Sequence, residues 1–133
     1  MPGGKKKPIV HITATKPLEK IMIDIIGPLS PSKNGYRYIL GIVDVFTRFA
    51  MLIPIRSIQS QSIAKILKIR WIPLFGVPEI VVSDSACNLN SHILADLFDE
   101  YGIKKVSTSP YRPQSNGIIE RMFRTIKDMI LQQ

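Results

Sequence analysis

The chain contains few of the residues that build disulfides, zinc clusters or membrane spans. It has one cysteine and two histidines among 133 residues, so an internal disulfide is excluded and a zinc site made of Cys and His is not expected. No apolar run approaches the roughly 18 residues that a membrane-spanning helix needs, and the N-terminus lacks the apolar core of a signal peptide. We therefore expect a soluble, intracellular protein that makes no membrane contact.

Acidic residues are in the minority, and the resulting positive charge is unevenly distributed. The formal net charge is +8. Residues 1–20 carry five lysines and one acid, residues 21–103 carry seven basic and seven acidic residues, and residues 104–133 carry six basic and two acidic ones. Basic segments of this kind favour a polyanionic partner such as nucleic acid. A charge excess that only keeps the protein soluble would explain the same composition.

The composition predicts one domain preceded by an arm. Residues 1–17 contain three prolines, two glycines and a run of three lysines, which is typical of a flexible linker. Residues 18–133 are predicted to form a single α/β domain, because 45% hydrophobic content is enough for one core in a chain of this length.

Periodicity predicts five strands and three helices. The predicted strands are Lys20–Ile26, Tyr36–Val45, Ala50–Ile55 capped by Pro54, Ile80–Val82 followed by Ser83 and Asp84, and Ile103–Val106. The predicted helices are Gln59–Phe75, kinked or ended near Ile72 by Pro73, Asn90–Tyr101 capped by Gly102, and Ile118 to the end. The first three strands are expected to form an antiparallel meander. Ile93, Leu94, Leu97 and Phe98 are the predicted buried face of the second helix.

Three carboxylates stand at the edges of buried elements. Asp24 interrupts an apolar strand, where an ionised side chain is costly unless it binds a metal or pairs with a lysine or the backbone. Asp84 ends another strand, and Glu120 falls in the first turn of the last helix. We favour metal ligation for Asp24 and keep the paired alternative open. Asp44 is expected to stabilise its own turn, next to Thr47 and Arg48.

Oxygen ligands without His or Cys favour Mg²⁺ or Mn²⁺ over zinc. Two such ions about 3.5–4 Å apart can support phosphodiester displacement. On the last helix, Glu120, Arg124 and Lys127 share a face beside an apolar stripe. The two cations either hold phosphates or pair with Glu120 on a solvated surface. The predicted stripe consists of Ile119, Met122, Phe123, Ile126 and Ile130.

Four segments resemble the catalytic cores of retroviral and retrotransposon integrases, especially those of gypsy-type LTR retrotransposons. They are PLEKIMIDIIGPL, YRYILGIVDVFTRF, FGVPEIVVSD and SPYRPQSNGIIER. The resemblance covers about residues 17–131. It implies a ribonuclease-H-like α/β fold, in which a five-stranded mixed sheet has three antiparallel strands followed by two parallel ones and is flanked by helices.

The resemblance also implies a site and an activity. Asp24, Asp84 and Glu120 would be the catalytic residues and hold two Mg²⁺ ions, which Mn²⁺ can replace, and Asp24 would bridge both. The implied reactions are processing of DNA 3′ ends and their transfer into target DNA in the nucleus, by a homodimer or larger homo-oligomer. The implied DNA contacts are Tyr111, Gln114, Ser115, Asn116, Arg124 and Lys127.

The chain departs from the family pattern after the second aspartate. The family usually reads Asp-x-Gly-x-x-Phe there, whereas this chain has Ala86 in place of the glycine and Leu89 in place of the aromatic residue. The family's zinc-binding and C-terminal DNA-binding domains and the helices after the Glu helix are also not found, so we expect a C-terminally truncated core. A catalytically silent core that binds DNA or dimerises therefore remains the alternative.

Overall fold

In this computed structural model, the described residues are 12–30, 32–84, 89, 91–108 and 117–132. Their strands are β1 Lys20–Ile26, β2 Tyr38–Asp44, β3 Ala50–Ile55, β4 Ile80–Asp84 and β5 Lys104–Thr108. Their helical segments are α1 Ser60–Ile66, a π-helical turn Leu67–Trp71, α2 Ile72–Phe75, α3 His92–Tyr101 and α4 Ile118–Leu131. Within these residues no helix has the length and apolar character needed to cross a bilayer.

The five strands form one mixed sheet in the order β3-β2-β1-β4-β5. Strand β1 pairs antiparallel with β2, and β2 antiparallel with β3. Strand β4 lies parallel to both β1 and β5. The predicted fold class is confirmed, and β1 is the central strand. Its continuous apolar sequence is what a strand covered on both faces requires.

The two faces of the sheet carry separate apolar clusters. Successive side chains of a strand point to opposite faces, so Ile21 and Ile23 of β1 join the larger cluster and Met22 joins the smaller one. The larger cluster packs against α1, the π-helical turn and α3, and includes Trp71. The smaller cluster includes Phe123 of α4. Helix α4 therefore covers the face of the sheet opposite to the other helices.

The helical stretch before β4 contains a π-helical turn that the periodicity did not predict. Pro73 has no N–H to donate to the carbonyl of Ile69, and its ring crowds that carbonyl in a regular α-helix. The turn widens over Leu67–Trp71, directly before the proline, and the chain then stays helical to Phe75. Of the two predicted effects of Pro73, a kink or an end near Ile72, the end is wrong, because the helix continues to Phe75. The widened turn relieves the conflict with the proline.

Pro54 lies inside β3, one residue before the strand ends at Ile55, and the bounds of β3 are the predicted ones. It pairs with Ile39, and the strand continues to Ile55. This position is tolerated because β3 is an edge strand of the described sheet, where a missing N–H removes no central ladder bond.

Helix α3 has the predicted C-cap at Gly102, an N-cap at Ser91 that was not predicted, and a narrower buried face than expected. The Ser91 side chain accepts a hydrogen bond from the N–H of Leu94 at 3.2 Å, and Gly102 ends the helix in the left-handed conformation at φ 67°. Leu94, Leu97 and Phe98 are buried, as predicted, whereas Ile93 is 39% exposed. At 100° per residue, Ile93 falls outside the arc that the other three define.

Asp44 secures the β2–β3 turn and the start of β1. Its Oδ1 accepts hydrogen bonds from the N–H groups of Phe46 and Thr47 at 2.9 and 3.0 Å. Its Oδ2 accepts the N–H of Leu18 at 2.8 Å, and Leu18 has a left-handed φ of 64°. The expected turn-stabilising role is confirmed and extends to a second segment of the chain.

Replacing Asp44 by Ala should lower the free energy of unfolding by about 2–4 kcal/mol, because several part-buried N–H groups lose their acceptor. Urea denaturation measures the loss. Asp96→Ala, which removes an exposed carboxylate 3.9 Å from His92 on α3, is the control and should cost well under about 1 kcal/mol. Equal losses in the two variants would contradict the role of Asp44.

Candidate active site

Asp24 is a largely buried acid in the central strand. Its side chain is 12% exposed, and Oδ1 accepts the N–H of Ile25 at 2.9 Å. By strand alternation Asp24 lies on the same face as Met22, the face that α4 covers. The opposite face is occupied by Ile23 and the larger cluster. The carboxylate is thus directed toward α4.

Asp84 is the last residue of β4, and the register brings its backbone beside Asp24. Strands β1 and β4 are parallel, with Ile23 paired to Ser83. The next residues on the two strands are Asp24 and Asp84, and adjacent strands lie about 4.8 Å apart. The side chain of Asp84 lies outside the described part of the chain. The backbones of the two predicted aspartates therefore lie side by side, toward the carboxyl ends of β1 and β4.

A glycine of β2 allows α4 to lie close to the sheet. Gly41 is the β2 partner of Asp24, and a Cβ at that position would lie 2.7 Å from Cε1 of Phe123. Real carbon contacts are not this short, so a larger residue would push α4 away from Asp24. Ile119 and Phe123 are the buried residues of α4, whereas Met122, Ile126 and Ile130 of the predicted stripe are only partly buried.

Glu120 lies in the first turn of α4, as predicted. Its carboxylate folds back over Gly117, the N-terminal cap residue, so that a Cβ at position 117 would overlap the carboxylate. The positive end of the helix dipole favours an acid at this place. Seven residues, or roughly 10 Å along the helix axis, separate Glu120 from Lys127.

Lys127 of α4 contacts Asp24. Its Nζ lies 2.8 Å from Asp24 Oδ2, and the lysine side chain is 35% exposed. The pairing of Asp24 with a lysine, left open by the sequence, is therefore present in the structure. Arg124 lies on the same helix and is exposed. The sequence pattern grouped Lys127 with Glu120 and Arg124 but gave no signal for a partner so far away along the chain.

Other predicted site residues fall outside the described residues. These are Tyr111, Gln114, Ser115 and Asn116, together with Ala86. Leu89, which stands where the family has an aromatic residue, is 2% exposed and belongs to the larger cluster. Its side chain thus contributes to the core of the domain.

The chemical type of the predicted ligands indicates which metal they would bind. Among the side chains that the structure describes, no three His, Cys, Asp or Glu residues gather around one point. Positions 24, 84 and 120 offer only carboxylate oxygens, which fit Mg²⁺ or Mn²⁺ and do not fit a structural zinc or a copper site. Asp24, Asp84 and Glu120 remain predicted ligands.

Comparison with protein families gives a direct match. Residues 14–113, more than half of the chain, match the family described as integrase core domain. The chain belongs to the integrase core domain family. The matched segment contains Asp24 and Asp84 and ends before Glu120. The resemblance inferred from the four sequence segments is confirmed.

Curated relatives of this integrase core are polyproteins of viruses and transposons. The Pro-Pol polyprotein of simian foamy virus type 3 is 36% identical over 115 residues, which are 86% of this chain and 10% of that protein. The transposon Tf2-3 polyprotein of Schizosaccharomyces pombe is 30% identical over 130 residues, 97% of this chain and 10% of that protein. The integrase core thus spans about a tenth of the length of these relatives.

A solved structure supports the fold of the integrase core. The chain resembles one from the cryoEM structure of the simian T-cell lymphotropic virus intasome in complex with the PP2A regulatory subunit B56 gamma. The TM-score is 0.71 at 20% identity, over 92% of this chain and 43% of that chain. At this identity the likeness concerns the fold, which agrees with the strand order described above.

Gly41→Ala should lower the free energy of unfolding by about 1–3 kcal/mol, because the added methyl group overlaps the ring of Phe123. Thermal or urea denaturation measures the change. The matched test is the same substitution in a Phe123→Leu background, where the shorter side chain should make it cost less. The same cost in both backgrounds would show that the contact between Gly41 and Phe123 does not limit the position of α4.

Proposed function

We propose that this integrase core is a divalent-metal-dependent polynucleotidyl transferase and endonuclease that processes DNA 3′ ends and joins them to target DNA. The observation that carries the proposal is the parallel register of β1 and β4, which sets Asp24 beside position 84 at one edge of the sheet. Open α/β sheets place their ligands at the carboxyl ends of such strands. Membership of the integrase core domain family supplies the reaction class.

The carboxylates of Asp24, Asp84 and Glu120 would hold two Mg²⁺ ions, with Mn²⁺ as a substitute. Such ions supply activation of the attacking oxygen and charge stabilisation at the leaving one. Asp24 is held in place by the N–H of Ile25, and its strand is paired on both sides, with β2 and with β4. A fixed carboxylate suits the task of orienting a phosphodiester.

DNA is the partner that the charge distribution favours. The segment that contains α4 carries six basic and two acidic residues, and Arg124 is exposed on this helix. Exposed cations near a metal-binding edge can hold the phosphates of a bound strand. The solved neighbour is part of an intasome, which supports element-end DNA, target DNA and a homo-oligomer as partners of this core.

A catalytically silent core that binds DNA or dimerises is the second candidate. The observation that keeps it as a candidate is the ion pair between Lys127 and Asp24, in which the lysine neutralises a carboxylate that a metal would use; membership of the integrase core domain family does not favour it. The two candidates differ in one respect that can be measured: the silent core forms no cleaved or joined product with any divalent ion.

The decisive assay is Mg²⁺- or Mn²⁺-dependent resolution of branched DNA by the 133-residue chain. Glu120→Gln and Asp24→Asn should each lower the rate by about a hundredfold or more, because each removes a charged metal ligand. Both changes preserve side-chain size. Glu100→Gln removes an exposed acid of α3 and serves as the control with an unchanged rate.

Equal amounts of product from the parent and from Glu120→Gln would reject the catalytic proposal. Absence of product from the parent with both metals would favour the silent core, provided that the circular dichroism spectrum shows a folded protein.

Arg124→Ala should weaken binding to short duplex DNA and reduce the slope of log K against log salt by about one, because one phosphate contact is lost. Fluorescence anisotropy over a range of salt concentrations measures the slope. Lys65→Ala removes an exposed cation of α1, on the opposite face of the sheet, and should leave the slope unchanged. The same slope in the parent and in Arg124→Ala would remove Arg124 from the DNA-binding surface.

A further inference from the structure

The contact between Lys127 and Asp24 bears on how a divalent cation binds at Asp24. We propose that Lys127 is a displaceable counter-ion: its ammonium neutralises Asp24 until a divalent cation binds, and then leaves the carboxylate. This inference rests on the proposed function, because it assumes that Asp24 is a metal ligand. It adds an order of events and a role for a residue that is not itself a ligand.

The two oxygens of Asp24 have different surroundings. Oδ1 accepts the backbone N–H of Ile25 at 2.9 Å, a contact within β1 itself. Oδ2 lies 2.8 Å from Lys127 Nζ, a contact that crosses from the sheet to α4. With its side chain 12% exposed, an ionised Asp24 needs a cation nearby. The lysine supplies that charge on the side of the carboxylate that faces the helix.

A divalent cation and the ammonium compete for the same side of Asp24. Magnesium binds carboxylate oxygen at about 2.0–2.1 Å, so an ion on Oδ2 would lie within about 5 Å of an ammonium that stayed at 2.8 Å. Like charges at this separation repel strongly in a part-buried site, where the effective dielectric constant is far below that of water. A metal ion on Oδ2 would therefore favour movement of the lysine away from the carboxylate.

Lys127 is able to make this movement. Its side chain is 35% exposed, and its ammonium stands on a flexible four-carbon stem. It lies on α4 three residues after the exposed Arg124, a spacing that places both on one side of the helix. Once released, the ammonium can reach a DNA phosphate beside Arg124. The divalent cation would then bind Asp24 before Lys127 joins Arg124 in contacting a DNA phosphate.

The test measures metal binding directly, by isothermal titration of Mn²⁺ into the protein without DNA at fixed pH and ionic strength. Lys127→Gln should bind the first Mn²⁺ about five- to tenfold more tightly than the parent, because no lysine ammonium has to be displaced from Asp24 before the ion binds. Lys127→Arg, which keeps the charge, should stay near the parent affinity. Arg121→Gln, an exposed cation on a different side of α4, should bind Mn²⁺ like the parent.

A second measurement tests the ion pair without metal. Lys127→Gln should lower the Tm of the chelator-treated protein, and this loss should largely disappear in an Asp24→Asn background. A loss that is the same in both backgrounds would overturn the proposal, because it would show that Lys127 does not stabilise the ionised carboxylate.

The outcomes separate this inference from the proposed function. Equal Mn²⁺ affinity in the parent and in Lys127→Gln, with binding abolished by Asp24→Asn, would reject the displaceable counter-ion and leave the metal site standing. Failure of all these proteins to bind Mn²⁺ would reject the metal site itself, and the counter-ion role with it. Tighter Mn²⁺ binding by Lys127→Gln, together with unchanged Mn²⁺ binding by Arg121→Gln, would support both the metal site and the displaceable counter-ion.

Discussion

A carboxylate buried in the central strand is the constraint on which this fold depends. Asp24 has the larger apolar cluster behind it, on the other face of β1, and an ionised group in such a place is unstable without a nearby cation. The chain meets this need with α4, whose Lys127 reaches Oδ2. The helix can approach so closely only because Gly41, beside Asp24 in the sheet, has no side chain. The acid on β1, the glycine on β2 and the lysine on α4 therefore depend on one another.

Local sequence signals account for most of the architecture. The bounds of β1 and β3 agree with the predicted ones, because apolar residues fill these strands and turn residues flank them. The caps of α3 also follow from local chemistry, since a serine hydroxyl and a left-handed glycine act on their own helix. The order of the elements then predicts the mixed sheet, once the resemblance to integrase cores is taken into account.

Features that depend on distant parts of the chain were not predictable in the same way. Gly41 reads as an ordinary residue of an apolar strand, and only the packing of Phe123 shows why a side chain does not fit there. The partner of Lys127 is Asp24 on β1, and the other four strands lie between these two residues along the chain. The π-helical turn before Pro73 accommodates the proline ring while Trp71 stays packed in the larger cluster. A hydrophobic pattern of period 3.6 does not predict such a turn.

Pro54 has a consequence for how copies of this domain can associate. It lies in β3, at one edge of the described sheet, and an edge strand normally offers a row of donors and acceptors to any extended chain that approaches. A proline interrupts that row, since it has no N–H to give and its ring obstructs a regular ladder. This edge is poorly suited to joining two sheets into one continuous sheet. Copies that meet at β3 would have to do so through side chains and not by extending the backbone ladder.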